Sequence, residues 1–250
     1  MRDTPKTWRW LTGVIFMFLV SQAAADGERE YARRRTDMLE TIQRDMASHG
    51  EVMGRTELSP EVARAILTVP RHLLVPANLR PRAYDNTPLP IGHGQTISQP
   101  TIVAMMTELL AVGPGDTVLE VGTGSGYQAA ILGEMGVQVH SIEIVPELAR
   151  SATSALAELG YENVSVHCGD GYAGLPDLAP FTGIIVTAAP PELPPALVRQ
   201  LAVGGRLVAP VGPTGGTQWL TVWKKNGDGT VTRRVVIPVR FVPMVEDQRH

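Results

Sequence analysis

Between residues 28 and 49 apolar side chains return at helical spacing. Met38, Leu39, Ile42 and Met46 form one stripe, and Arg33, Arg34, Arg35 and Arg44 are left for solvent, which predicts an amphipathic helix. A second helix starts at Ser59-Pro60-Glu61, with the serine as cap and the proline at the first helical position, and ends before Pro70. From residue 71 to residue 100 proline and glycine abound and no period survives. A stretch of that length inside a domain reads as an ordered loop wrapped around a site. From Asp116 onward strands and helices alternate. Buried strands are expected at 117–121, 137–142, 164–167, 183–187 and 205–209, with helices at 127–135, 146–159 and 193–201. Such alternation builds a parallel sheet covered on both faces. The tail departs from it, because strands at 219–223 and 231–242 are joined through Asn226-Gly227-Asp228-Gly229, a hairpin signal. The expected fold class is therefore α/β: a doubly wound, mostly parallel, seven-stranded sheet with N-terminal helices and a C-terminal antiparallel hairpin. Residues 26–115, the helices and covering loop, form one domain with the core at 116–250.

Composition agrees with a single folded unit. The chain has 250 residues, 44% of them hydrophobic and 19% charged, enough for a sizeable core and unlike a disordered chain. A net charge of -3 and the lack of any Lys/Arg run longer than three residues argue against a nucleic-acid partner. Cys168 is the sole cysteine, so no internal disulfide forms, and it is expected as a small core residue, with a place beside the ligand site near Asp170 as the alternative. No Cys/His cluster has ligand spacing, so no metal is expected. Residues 1–25 read as a cleavable export signal: Arg2, Lys6 and Arg9 are basic, residues 11–20 are mostly apolar, and Ala23-Ala24-Ala25 suits a peptidase. An uncleaved anchor and a downstream start are the alternatives. The apolar run falls well short of the roughly 20 residues that span a bilayer, so no stable membrane insertion is expected once the signal is removed.

Candidate chemistry centres on Val118-Leu119-Glu120-Val121-Gly122-Thr123-Gly124-Ser125-Gly126-Tyr127. A glycine-rich turn between strand and helix lets backbone approach a ligand at the carboxyl end of a sheet. No lysine follows the glycines, which excludes a phosphate loop, and the third glycine comes one residue too early for the dinucleotide fingerprint. S-adenosyl-L-methionine fits better. It has no phosphate, and Glu120 offers a carboxylate to its cationic end where a pyrophosphate would be repelled. Glu143, 21 residues after Gly122 and at the next strand end, is placed to accept from both ribose hydroxyls. Asp170, between Gly169 and Gly171 after the third strand, is placed to accept from the adenine amino group. A solvated strand-end charge and an ordinary Asp-Gly turn are the respective structural alternatives.

Several stretches make the chain resemble the protein-L-isoaspartate O-methyltransferases. They are EVGTGSGY at 120–127, VPRHLLVP at 69–76, LPIGHGQTISQP at 89–100, IIVTAAPPE at 184–192 with GGRLVAPVG at 204–212, and RFVPM at 240–244. The likeness spans residues 30–245, and LPIGHGQTISQP is its most specific part. It implies a Rossmann-like methyltransferase fold and transfer of a methyl group from S-adenosyl-L-methionine to the free carboxylate of L-isoaspartyl residues in damaged proteins and peptides. It further implies Ser98 as the catalytic residue, with Gln95, Thr96, Ile97 and Ser98 joining Glu120, Gly122, Gly124, Gly126, Glu143, Asp170 and Gly171 around the cofactor. A carboxylate is already ionised at neutral pH and needs no general base, so the Ser98 hydroxyl is expected to orient it. Capping of a helix beginning near Thr101 is the alternative. The segments Ala188-Ala189-Pro190 and Val211-Gly212 are expected to line the substrate groove, and His72, His93 and His167 to be structural or solvent-facing. The enzyme is expected to be a monomer. Rival readings are a small-molecule methyltransferase, a non-catalytic isoaspartyl- or cofactor-binding protein, and a dinucleotide oxidoreductase. The export signal is the departure, since the family's members are generally cytosolic.

Overall fold

A computed structural model describes residues 7–246, with side chains from residue 27 onward, so the side chains of the expected signal lie outside the described residues. Helix α1 (Thr7–Ser48) starts earlier than the apolar stripe suggested, because no proline interrupts it. A short turn, α2 (Gly50–Met53), leads to α3 (Pro60–Thr68), where the Ser59 hydroxyl accepts from Val62 N as its cap. No helix among the described residues is long and apolar enough to cross a membrane.

The stretch expected as a loop is built from short elements. Two 3-10 turns, Arg71–Leu73 and Ala77–Arg82, precede a hairpin of β1 (Leu89–Gly92) and β2 (Gln95–Ile97). Gly92, His93 and Gly94 all take positive φ to turn the hairpin. Strands of four and three residues leave no detectable alternation, which is why the pattern concealed them. Helix α4 (Pro100–Leu110) then crosses beneath the sheet, buried along nearly its whole length.

The alternating half follows as β3 (Thr117–Val121), α5 (Tyr127–Glu134), β4 (Gln138–Glu143), α6 (Pro146–Glu158), β5 (Val164–Cys168), β6 (Phe181–Val186), α7 (Pro195–Gln200), β7 (Leu201–Val211), β8 (Gln218–Lys225) and β9 (Val231–Val239). The seven-stranded sheet runs β5-β4-β3-β6-β7-β8-β9. Its first five strands are parallel, and β8 and β9 add antiparallel pairs. Helix α7 starts later than expected because Pro194 sits extended at its cap, and β7 begins at Leu201, earlier than expected. Cys168 corrects an expectation: it is exposed rather than in the core, because it ends β5, the edge strand.

Successive strand residues divide between two layers. Val118, Val139, Ile185 and Val208 join α1, α3, α4 and α5, whereas Leu119, Ile142, Ile184 and Leu207 pack with Leu197, Leu201 and Met244. The chain leaves β3 to build β4 and β5 on one side, then returns to place β6 on the other. That reversal opens a crevice at the carboxyl ends of β3 and β6, where open α/β sheets bind ligands. Helix α1 reaches this end too. Asp45 Oδ2 accepts from Thr101 Oγ1 at 2.6 Å and from Asn86 Nδ2 at 2.8 Å, while Asn86 Oδ1 accepts from Thr101 N at 3.1 Å.

We expect Asp45→Ala to destabilise the protein by about 1 kcal/mol, the usual consequence of losing part-buried hydrogen bonds. Urea denaturation checks this, and an unchanged midpoint would mean that solvent replaces Asp45 without loss.

Candidate active site

The glycine turn sets the geometry. Gly122 has φ 98° and lies so close to β6 that a Cβ there would come 2.6 Å from Thr187 Oγ1. The Thr187 hydroxyl is within hydrogen-bonding distance of the Gly122 and Val121 carbonyls, at 2.5 and 3.0 Å. Gly124 (φ 54°) presents its N–H to Glu143 Oε2 at 2.8 Å, and Val145 N donates to Oε1 at 3.0 Å. Glu143 is therefore a buried carboxylate clasped by two main-chain donors, not a solvated strand end. Each oxygen retains a lone pair for a ligand hydroxyl.

Glu120 is fully buried one strand away. Oε2 accepts from Ser141 Oγ, which also meets Thr123 Oγ1 at 2.5 Å. Oε1 has no partner among the described residues. Loss of hydration, with Glu143 nearby, pushes its pKa up to about 8 against the ordinary 4.5. An orphaned carboxyl oxygen beside an apolar-walled pocket suits a cation, the chemistry that a sulfonium or ammonium group would bring.

One pocket gathers these groups. Gln95, Thr96, Ile97, Ser98, Glu120, Gly122, Gly124, Glu143 and Gly171 all line it, together with Thr187, Ala188 and the tail residues 242–245. Two expected residues do not. Gly126 instead caps α5 in the left-handed region, and Asp170 lies outside the lining, its Oδ1 accepting from Tyr172 N at 2.9 Å in an Asp-Gly turn. Gly171 does line the pocket, and a Cβ there would come 2.5 Å from Val121 Cγ1. The tail was not foreseen: expected as strand to residue 242, it leaves β9 at Val239 and pairs with the β6 loop. Ala189 N donates to Val242 O at 2.8 Å and Met244 N to Ala189 O at 2.9 Å.

A second groove shares Thr96, Ser98, Thr187 and Val242 with the first and continues along Gln99, Ile102, Thr217, Arg240 and Phe241. Ser98 stands where the two meet. It does not cap α4, whose cap residue is Gln99, and its side chain makes no hydrogen bond among the described residues, while its carbonyl accepts from Arg71 Nη2 at 2.8 Å. Of the segments expected to line the groove, Ala188 borders the pocket, whereas Gly212 N is occupied by Pro190 O at 3.2 Å.

Comparison with known proteins agrees with this geometry. Residues 49–249 match the model of the protein-L-isoaspartate(D-aspartate) O-methyltransferase family. The chain belongs to that family. It is 51% identical over 214 residues to protein-L-isoaspartate O-methyltransferase 1 of Cupriavidus necator, covering 86% of this chain and 83% of that one. It is 49% identical over 238 residues to protein-L-isoaspartate O-methyltransferase 2 of Syntrophobacter fumaroxidans, covering 93% and 96%. A solved protein-L-isoaspartate O-methyltransferase superposes with a TM-score of 0.71 at 28% identity, over 84% of this chain and 66% of that chain. A Plasmodium falciparum protein, solved with S-adenosyl-L-homocysteine, has the same fold at TM-score 0.71 and 24% identity, over 84% and 98%. The chain is thus a methyltransferase of this family, and the matched region holds every pocket residue named above while leaving out α1.

None of the described histidines lines the pocket or the groove. His72 is buried, stacked on Tyr31 at 3.8 Å with Nδ1 2.7 Å from Tyr84 Oη, and burial lowers its pKa. His167 lies 3.3 Å from His140, and His93 is exposed on the hairpin turn. Thr187 entered the sequence reading only within the stretch IIVTAAPPE, with no role assigned, and Ser141, buried in mid-strand, carried no signal at all.

Glu120 generates a pH prediction. A carboxyl whose folded pKa is raised contributes its full stability below the unfolded value of 4.5 and loses it as pH climbs to about 8. Over that window the ligand-free protein should lose thermal stability relative to Glu120→Gln. Parallel stability curves for the two proteins would show that Glu120 is ionised throughout.

Proposed function

We propose that this methyltransferase holds S-adenosyl-L-methionine in the pocket between Glu120, Glu143 and the glycine turn, and methylates the free carboxylate of an L-isoaspartyl residue presented from the groove beyond Ser98. The position of Ser98, shared by both cavities, is the observation that carries this reading. S-adenosyl-L-methionine supplies an electrophilic methyl group. Glu120 and Glu143 fit its cationic end and its hydroxyls respectively, since one has a free buried oxygen and the other is held rigidly by main-chain donors. Ser98 donates its hydroxyl to the incoming carboxylate and aims it. The tail over the site keeps water out, which favours a reaction in which anion and cation neutralise each other, and orientation is the enzyme's main contribution. The methyl ester then closes to a succinimide without further catalysis, which begins repair.

Export is the second part of the proposal. The basic start, the apolar run at 11–20 and Ala23-Ala24-Ala25 direct the chain to the periplasm. There it works as a soluble monomer on damaged proteins and peptides, with no nucleic-acid partner.

Labelled S-adenosyl-L-methionine should transfer its methyl to an L-isoaspartyl peptide and not to the matched L-aspartyl peptide. Equal labelling of both, or of neither, would sink the substrate assignment. Ser98→Ala should lower turnover roughly 10- to 100-fold, the worth of one hydrogen bond to a charged group, with cofactor affinity nearly unchanged. Cell fractionation with N-terminal sequencing should find a periplasmic product starting near Asp26, and a cytosolic product would refute export.

A further inference from the structure

VPRHLLVP contains a charged residue for which the site chemistry above has no use. Arg71 follows α3 directly and is completely buried. It faces no carboxylate among the described residues, and burial lowers its pKa to about 10, so it remains a cation at neutral pH. Burying an uncompensated charge is costly, and an apolar side chain would fill the same space at less expense. What an apolar residue lacks is the rigid planar fork of a guanidinium. Here the fork joins three segments. Nε donates to Ala83 O at 2.8 Å, Nη2 donates to Ser98 O at 2.8 Å, and the guanidinium carbon sits 4.6 Å from the ring centroid of Tyr127. Tyr127 opens α5 and lines the cofactor pocket, whereas Arg71 itself lines neither cavity.

The serine lies between two anchored neighbours. Ile97 pairs with Leu89 in the hairpin, and Thr101 N is held by Asn86. The tie that reaches Ser98 itself comes from Arg71. Fixing that carbonyl fixes the Ser98–Gln99 peptide plane, and with Ile97 held in the hairpin it restricts rotation about Cα–C of Ser98, and so the direction of the Cα–Cβ bond and the arc available to the hydroxyl. We propose that Arg71 is a positioning residue for methyl transfer: its guanidinium, braced on Ala83 O and the Tyr127 ring, holds the main chain at Ser98 so that the hydroxyl stands at the junction of cofactor pocket and substrate groove. The inference rests on the proposed role of Ser98 and adds the element that enforces it.

The test is a double-mutant cycle. Arg71→Lys keeps the charge without the fork, and Arg71→Gln keeps a donor without the charge. Each is made alone and with Ser98→Ala, and kcat and KM for an L-isoaspartyl peptide, S-adenosyl-L-methionine affinity and thermal unfolding are measured. Either single variant should lose roughly 10-fold in kcat, and no more than Ser98→Ala itself, with cofactor affinity nearly intact. In the Ser98→Ala background the same change should cost nothing further, because a residue acting through Ser98 has nothing left to place. An equal loss in both backgrounds, an unchanged kcat, or failure of both variants to fold would overturn the proposal. Amide exchange followed by mass spectrometry gives a readout independent of substrate: exchange at residues 97–101 should quicken in Arg71→Lys while α3 stays protected, and uniform quickening overturns it. A wild-type protein that binds cofactor yet labels neither peptide would defeat the substrate assignment alone, leaving Arg71 to be judged by exchange.

Discussion

Much of the structure depends on one close approach, that of the Gly122 backbone to Thr187 at the carboxyl ends of β3 and β6. Parallel strands whose chain reverses direction leave a crevice between them, and the turn after β3 must cross it without a side chain in the way. Positive φ at Gly122 and Gly124 then turns an N–H toward β4, where Glu143 receives it. The same turn places Gly126 as the cap of α5, so that Tyr127 starts its helix against the guanidinium of Arg71. A single backbone path thus fixes a carboxylate, a helix and a cation–π contact.

Around that path the site divides its electrostatic work. Glu143 is held rigidly because two amides donate to it, one to each oxygen. Glu120 is buried with one oxygen unmatched, so it is poised between a neutral state when empty and a charged one when a cation arrives. Two carboxyl groups in one pocket are therefore held differently, one by two main-chain donors and the other with one oxygen bare.

The covering elements come from distant parts of the chain. β2 and the start of α4 bring residues 95–98, the β6 loop brings Thr187 and Ala188, and the tail closes over them by pairing with Ala189. Helix α1 stands outside the family match, yet Asp45 ties into the α4 terminus three residues beyond Ser98. The serine is held from below by Arg71 and flanked by segments that α1 and the hairpin anchor, which suits a reaction that needs orientation more than acid–base chemistry.

By itself the sequence determined the parallel sheet, the glycine turn, the acids at successive strand ends and the family resemblance. These are properties of local spacing: a buried strand is a run of apolar residues, and a turn that needs positive φ needs glycine. Tertiary structure alone decided the rest. Asp-Gly after β5 reads the same in any turn, and only the structure shows that Asp170 Oδ1 accepts from Tyr172 N. Cys168 is as small and apolar as any core residue, and is exposed because β5 lies at the sheet edge, which strand order decides and periodicity cannot. Arg71 looks like a surface arginine in one dimension. It became buried, and its carbonyl acceptors at Ala83 and Ser98 came together, only when chain 12 and 27 residues away folded back over it.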